Sequence, residues 1–286
     1  MTRRRGRRAV VVAWAVLPTV VAIVAAAVGG TRSPPAPDRS TPGVDRNPVV
    51  FAPGRLVAIG GGRTLYLRCT GSATPTVILE SGTAEASDDW LEVQGPVSRV
   101  TRTCAYDRAG AGNSLPAAGA STPAADLADL RRLAAAAKLP APYVLVGASY
   151  GGLLAALYAR TYPHDTAGLV LVDAIAQGPT QTSLGALPLV VITRGLSRDA
   201  GPPLPQVAQA RAQRAWVTLQ DLVASLSTDS VHVTALRSGY GIWRSVAEQP
   251  EAVVTAVRAV VQAVRTRSRL PSCASLYRAA GTRCAA

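Results

Sequence analysis

The stretch YVLVGASYGG, from Tyr143 to Gly152, constrains the fold more than any other part of the chain. Its first four residues are apolar or aromatic, which is typical of a strand buried on both faces. A G-x-S-x-G follows, with Ser149 between Gly147 and Gly151, and the next residues have helical spacing. Glycines on both sides allow the chain to close sharply around a serine in a strained backbone conformation. The stretch therefore predicts a strand, a sharp turn with Ser149 at its apex, and a helix.

Composition sets the outer limits of the fold. A chain of 286 residues with 48% apolar content can bury a sizeable core, in about one domain. The formal charge is +13, of which five charges belong to arginines within the first eight residues. The remaining cations are spread along the chain without a dense block, and aromatic residues make up only 5%. This pattern favours a solvated arginine-rich surface and no nucleic-acid partner.

The N-terminus is predicted to be a targeting segment, residues 1–29. Twenty uncharged residues, 9–28, follow the arginine-rich start and reach ~30 Å as a helix, the thickness of a hydrocarbon core. The arginines favour a cytoplasmic start and an extracytoplasmic domain. A retained single-pass membrane anchor is the first expectation. Secretion after cleavage of a signal peptide is the alternative, because Ala25-Ala26-Ala27 suits a signal peptidase. Residues 30–48 contain five prolines and predict an extended linker.

Four cysteines agree with export, because an even number outside the cell suggests two disulfide bonds. The sequence alone allows three connectivities. Cys273 and Cys284 bracket a short loop and are the obvious local pair, and Cys69 would then pair with Cys104. No cysteine or histidine spacing resembles a zinc site, so no metal is expected.

Strand and helix patterns alternate from residue 49 to residue 267. Short β-branched runs end in glycine-bearing loops, and amphipathic stretches lie between them. Such alternation predicts an α/β domain with a mainly parallel sheet and helices on both faces. A cysteine-bearing tail, residues 268–286, follows this domain.

From about residue 49 to residue 265 the chain resembles an α/β-hydrolase of the small bacterial esterase and lipase-like type. The matching pieces are the ESG loop after the third strand, the segment DRAGAGNS, the G-x-S-x-G, and LVLVDA, in the order typical of the family. This resemblance implies an eight-stranded, mainly parallel sheet. The short gap after Asp173 predicts little or no cap over the site.

The resemblance also implies the site residues of a serine hydrolase. Ser149 is the candidate nucleophile, and the backbone amides of Thr83 and Tyr150 are the candidate oxyanion hole. A carboxylate is expected at a strand end after the serine. Asp173 is favoured narrowly over Asp199, which lies after the following strand.

The histidine base of the family is missing from its expected place. The segment after the last strand reads RSGYGI, with Tyr240 where the family resemblance places a histidine. The chain has two histidines. His232 lies up to ~26 Å along the last strand from Tyr240, and His164 lies a helix length, ~20 Å, beyond Ser149. Neither is expected to reach the serine.

Two functions follow from this departure. The first is a degenerate hydrolase that binds a small ester- or acyl-like molecule without efficient turnover, because an ordinary tyrosine has a pKa near ~10 and makes a poor base at neutral pH. The second is an active serine ester hydrolase with Tyr240 in place of histidine. Neither requires a cofactor, and the sequence leaves the oligomeric state open.

Overall fold

The computed structural model describes residues 51–117, 121–175, 183–195, 205–278 and 281–285. In these ranges the chain forms one sheet of nine strands, with the spatial order β1-β2-β4-β3-β5-β6-β7-β8-β9. The strands are β1 (Arg55–Gly60), β2 (Arg63–Thr70), β3 (Thr76–Glu80), β4 (Thr103–Tyr106), β5 (Tyr143–Ala148), β6 (Thr166–Val172), β7 (Leu189–Arg194), β8 (Ser230–Ala235) and β9 (Thr282–Cys284).

The central strands of the sheet are parallel, and the two ends are antiparallel. Strands β4, β3, β5, β6, β7 and β8 pair in parallel. The hairpin β1–β2 and the short β9 add antiparallel edges. The helices are α1 (Leu91–Ser98), α2 (Pro123–Ala136), α3 (Tyr150–Thr161), α4 (Gln206–Ala224), α5 (Pro250–Thr266) and α6 (Cys273–Leu276).

Each central strand sends alternate side chains to two separate cores. Tyr143 and Leu145 join a cluster that contains buried residues of α2, α3 and α4. Val144 and Val146 join the other cluster, with residues of α1 and α5. Because successive residues of a strand face opposite sides, the uninterrupted apolar run in β5 serves both cores at once. The predicted α/β fold with a mainly parallel sheet is therefore confirmed.

The sheet has nine strands where eight were expected, because the C-terminal tail adds one. β9 pairs with the outer side of β8, so residues of the tail extend the sheet of the main domain. Both predicted disulfide bonds are present. Cys69 and Cys104 face each other on the paired strands β2 and β4, with their Cα atoms 4.0 Å apart, and Cys273–Cys284 closes the tail segment.

The predicted targeting segment and linker lie outside the described residues. Among the helices of the described ranges, none is both long and apolar enough to cross a bilayer. Residues 176–182, in the gap after Asp173, also lie outside these ranges, and so the prediction of a minimal cap is not tested there.

Candidate functional site

Ser149 lies at the sharp turn between β5 and α3. Its backbone has φ 51° and ψ −118°, in a region that residues with a Cβ rarely adopt. A Cβ on Gly147 would lie 2.3 Å from the carbonyl oxygen of Gly151, and a Cβ on Gly151 would lie 2.2 Å from that of Glu80. The two glycines are therefore required by close backbone contacts, as the motif predicted.

The two candidate oxyanion-hole residues lie in the loop after β3 and at the start of α3. Tyr150 is the first residue of α3, where the backbone amide has no acceptor within the helix. Thr83 occupies an exposed turn after β3. In the part of the chain that the structure describes, the backbone amides of Thr83 and Tyr150 make no hydrogen bond to a carbonyl of a turn, loop or helix cap.

Arg108, from the loop after β4, fixes the backbone that carries Thr83. Its guanidinium donates to the carbonyl oxygens of Ser81 and Gly82, and it forms an ion pair with Glu80 at 2.6 Å. Glu80 also accepts from Tyr106 and is completely surrounded by protein. Burial raises the pKa of the Glu80 carboxyl, although the neighbouring Arg108 opposes the rise.

The phenol of Tyr240 reaches the site and touches two groups. Its hydroxyl donates to Oε1 of Glu85 over 2.7 Å, and the neighbouring Ser149 hydroxyl acts to lower its pKa. Burial and the adjacent Glu85 carboxylate raise the pKa of Tyr240 well above that of a free tyrosine. The phenol consequently keeps its proton at neutral pH, and the tyrosinate needed for a direct general base is not formed.

Glu85 is the site residue that the sequence did not reveal. Its carboxylate accepts from the backbone amide of Gly82 at 2.7 Å, from Tyr240, and from Arg244 in an ion pair. The side chain is 4% exposed, and burial raises its pKa in spite of Arg244. Glu85 and Tyr240 are 155 positions apart in sequence. No local motif links them, so only the fold brings them together.

The partners of the Asp173 carboxylate are Arg194 and Trp216 and not Tyr240. Its buried carboxylate accepts from the Arg194 guanidinium, from the Arg194 backbone amide at 3.3 Å, and from Nε1 of Trp216 at 2.6 Å. Asp173 is the acid that the sequence favours, whereas the carboxylate hydrogen-bonded to Tyr240 is that of Glu85. The strand-end position was read from the sequence, but the direction of the side chain was not. Asp199, the alternative acid, lies outside the described residues.

Neither histidine lies at the serine. His232 is buried between Thr193, whose Oγ1 lies 2.7 Å from its Nε2, and Asp221, whose Oδ1 lies 2.6 Å from its Nδ1. His164 is exposed in the turn after α3. In the ranges that the structure describes, no group of three or more histidine, cysteine or acidic side chains is placed to hold a metal ion.

A sequence profile of the α/β-hydrolase fold matches residues 75–221, just over half of the chain. YqjL of Bacillus subtilis (strain 168), an uncharacterized protein, is 24% identical over 208 residues, covering 60% of this chain and 79% of YqjL. A thermophilic esterase from Thermogutta terrifontis has a TM-score of 0.59 at 19% identity, covering 74% of this chain and 99% of the esterase. A lipase candidate, lip1 of Acinetobacter baumannii AYE, has a TM-score of 0.63 at 15% identity, covering 76% and 93%.

The two solved structures show the same fold, and the profile spans the loop after β3 and the turn at Ser149 but ends before Tyr240. It begins at β3, before the loop with Thr83, and continues through the turn at Ser149. This chain therefore belongs to the α/β-hydrolase fold family.

Proposed function

We propose that this protein binds a small ester- or acyl-like ligand at Ser149 and turns esters over far more slowly than a serine hydrolase with a histidine base. The observation that carries the proposal is the phenol of Tyr240, which takes the place of a histidine beside Ser149 and donates its hydrogen to Glu85. An unactivated serine hydroxyl is a weak nucleophile. Loss of the serine or the base of a triad costs about 10⁶ in turnover, while the oxyanion hole and binding retain about 10³–10⁴ over water.

The features needed for binding support the same proposal. The amides of Thr83 and Tyr150 have no backbone acceptor in the described loops, and Arg108 holds the loop of Thr83 in place. Backbone amides without an acceptor are the kind of donor that binds the carbonyl oxygen of an ester or acyl group. The site therefore keeps the means of recognition after the base has changed.

The proposal includes export and a membrane anchor. It rests on the uncharged stretch of residues 9–28 behind a cluster of arginines, and on two disulfide bonds, which persist in oxidising compartments. The mass of the mature protein in isolated membranes tests it. An intact N-terminus supports the anchor, and loss of the first ~27 residues supports the alternative of secretion after signal cleavage.

Hydrolysis of short p-nitrophenyl esters by the full chain tests the main proposal, with Ser149→Ala as the matched control. We expect turnover at least 10³-fold below that of a histidine-dependent esterase. Binding of a non-hydrolysable acyl amide, measured by calorimetry, should persist in both proteins. Fast turnover that disappears in Ser149→Ala would contradict the proposal, as would the absence of any ester or acyl binding.

A second candidate function is an active serine ester hydrolase in which Tyr240 replaces histidine. The proximity of Tyr240 to Ser149 favours it, because a substitute base must reach the nucleophile. The raised pKa of the phenol weighs against Tyr240 acting alone. Turnover as fast as that of a histidine-dependent esterase, abolished in both Ser149→Ala and Tyr240→Phe, would decide for this function.

A further inference from the structure

We propose that Glu85 is the terminal proton acceptor for Ser149, reached through the hydroxyl of Tyr240, so that the serine retains slow reactivity toward activated acyl and phosphoryl electrophiles. The inference deepens the proposed function and rests on it, because the electrophile must occupy the same site. It assigns a role to a buried carboxylate that the serine-hydrolase pattern does not use.

The hydrogen of Tyr240 sets the direction of proton transfer, from Ser149 through Tyr240 to Glu85. A phenol has one hydrogen, and that of Tyr240 points to Oε1 of Glu85, 2.7 Å away. The phenol oxygen is therefore the acceptor toward Ser149. A proton leaving the serine can move to Tyr240 while the tyrosine proton moves to Glu85, and no stable tyrosinate forms at any point.

The surroundings of Glu85 fit a proton acceptor. The groups that face it are the Tyr240 hydroxyl, the Arg244 guanidinium and the Gly82 amide, and Asp89 lies 3.5 Å from Nε of Arg244. Burial raises the pKa of Glu85 and thereby strengthens it as a base, while Arg244 opposes the rise. The Gly82 contact holds the second oxygen, so the first remains directed at Tyr240.

The reaction with an activated ester balances as follows. A bond forms between Ser149 Oγ and the acyl carbon, the serine proton passes to Tyr240, and the tyrosine proton passes to Glu85. When the intermediate collapses, the bond to the leaving oxygen breaks. That oxygen takes a proton from Tyr240, which regains one from Glu85. With a fluorophosphonate, the phosphorus–fluorine bond breaks instead, fluoride leaves, and the proton stays on Glu85.

We call the proton transfer from Ser149 through Tyr240 to Glu85 the relay. Labelling of the full chain by a fluorophosphonate, followed by intact mass and measured from pH 4 to pH 9, tests it. For the wild type we expect slow labelling at Ser149 that rises with pH through the pKa of Glu85 and then levels. Glu85→Gln and Tyr240→Phe should each lower the plateau rate by about 10²-fold or more, the range of general-base catalysis. Arg244→Met should shift the midpoint to higher pH, because it removes the cation that favours the carboxylate.

Glu248→Gln is the matched control. Its carboxylate accepts from the amide of Gly239, next to Tyr240, at 2.8 Å, but it has no contact with the relay. It should leave both rate and midpoint unchanged. Tyr240→Phe keeps the ring and serves if Glu85→Gln does not fold.

Three results would overturn the relay: wild-type rates in Glu85→Gln or Tyr240→Phe, a midpoint unmoved by Arg244→Met, or an unlabelled wild type that still binds the acyl amide. The last result would leave the proposed function standing. Fast Ser149-dependent ester turnover would overturn the proposed function instead.

Discussion

Two buried carboxylates, on Asp173 and Glu85, show how one functional group takes different roles. Asp173 follows β6 and is enclosed by Arg194 and Trp216, which use both of its oxygens. Glu85 follows β3 and keeps an oxygen toward Tyr240. The difference lies in the partners and not in the exposure, since both side chains are nearly inaccessible. Asp173 thus acts to join β6, β7 and α4.

Replacing Asp173 with asparagine tests this structural role. The change leaves the Arg194 guanidinium, 15% exposed, without its buried anionic partner. Breaking such a pair costs about 3–5 kcal/mol. Urea unfolding should show this loss, whereas the pH midpoint of fluorophosphonate labelling should stay in place.

Asp165→Asn is the control for that measurement. Asp165 pairs with an exposed arginine, Arg131, at 3.8 Å, and its side chain is 33% exposed. Its loss should cost less than about 1 kcal/mol. A shifted labelling midpoint in Asp173→Asn would argue that Asp173 acts on the reacting groups after all.

For single residues, the sequence predicts those features that depend only on positions nearby in the chain. The strained turn at Ser149 needs glycines two positions away on either side, and the motif shows them. The contact between Glu85 and Tyr240 joins two loops that are 155 positions apart in the sequence. Its geometry depends on side-chain directions, which no pattern of residue types records.

Among the elements, the loop after β3 depends most on one distant side chain. Arg108 donates to two successive carbonyl oxygens of this loop, those of Ser81 and Gly82, and stacks over the ring of Tyr150 at 5.3 Å. A planar guanidinium can hold two carbonyls at once, and a lysine ammonium lacks that geometry. Arg108 therefore links both halves of the candidate oxyanion hole.

Arg108→Met should weaken both stability and ligand binding. It leaves Glu80 buried without a cation and removes both loop hydrogen bonds, at an expected cost of about 3–5 kcal/mol in unfolding free energy. Calorimetry with the acyl amide should show at least a tenfold loss of affinity at a temperature where the variant is folded.

Arg131→Met provides the comparison, because Arg131 is exposed and stacks on Tyr162 away from the loop. Its affinity for the amide should match that of the wild type. Equal affinity in Arg108→Met would show that the loop keeps its shape without the guanidinium.

Strands and helices followed from periodicity because each buries a continuous apolar face. The strand and the helix predicted on either side of Ser149 are present as β5 and α3. β9 was not predicted, since three residues carry too little pattern to indicate a strand. Its place depends on an unpaired edge of β8, which exists only once the sheet has formed.

For the molecule as a whole, two buried glutamates make stability depend on pH. Burial raises the pKa of Glu80 and of Glu85 in the folded state. The folded state then binds more protons than the unfolded state between the ordinary and the raised values. The free energy of unfolding should therefore fall as pH rises through this window and become constant at higher pH.

Urea unfolding from pH 4 to pH 8 measures this slope. Glu85→Gln removes one of the two groups and should flatten the profile, while the control Glu248→Gln should retain it. An unfolding free energy that rises with pH across the same window would contradict this. It would mean that other carboxylates, whose pKa is lowered by folding, determine the pH dependence.

The tail is closed by its own disulfide bond and is joined to the sheet by backbone pairing. Cys273–Cys284 closes a loop of 11 residues, and Cys284 lies opposite Val233 in the β9–β8 pairing. Replacing both cysteines with serine should cost about 3 kcal/mol by loop entropy. It should also loosen β9 from β8, and an uncovered strand edge promotes association between molecules.

Unfolding free energy and light scattering together test this coupling, with the pair Cys69 and Cys104 as the comparison. That bond closes a loop of 35 residues, so its removal should cost about 4 kcal/mol, but both of its strands lie inside the sheet. Loss of stability is expected in both double variants, and concentration-dependent association only in the variant of the tail. Association of equal extent in both would assign it to general destabilisation, and β9 would then have no role in protecting the edge of the sheet.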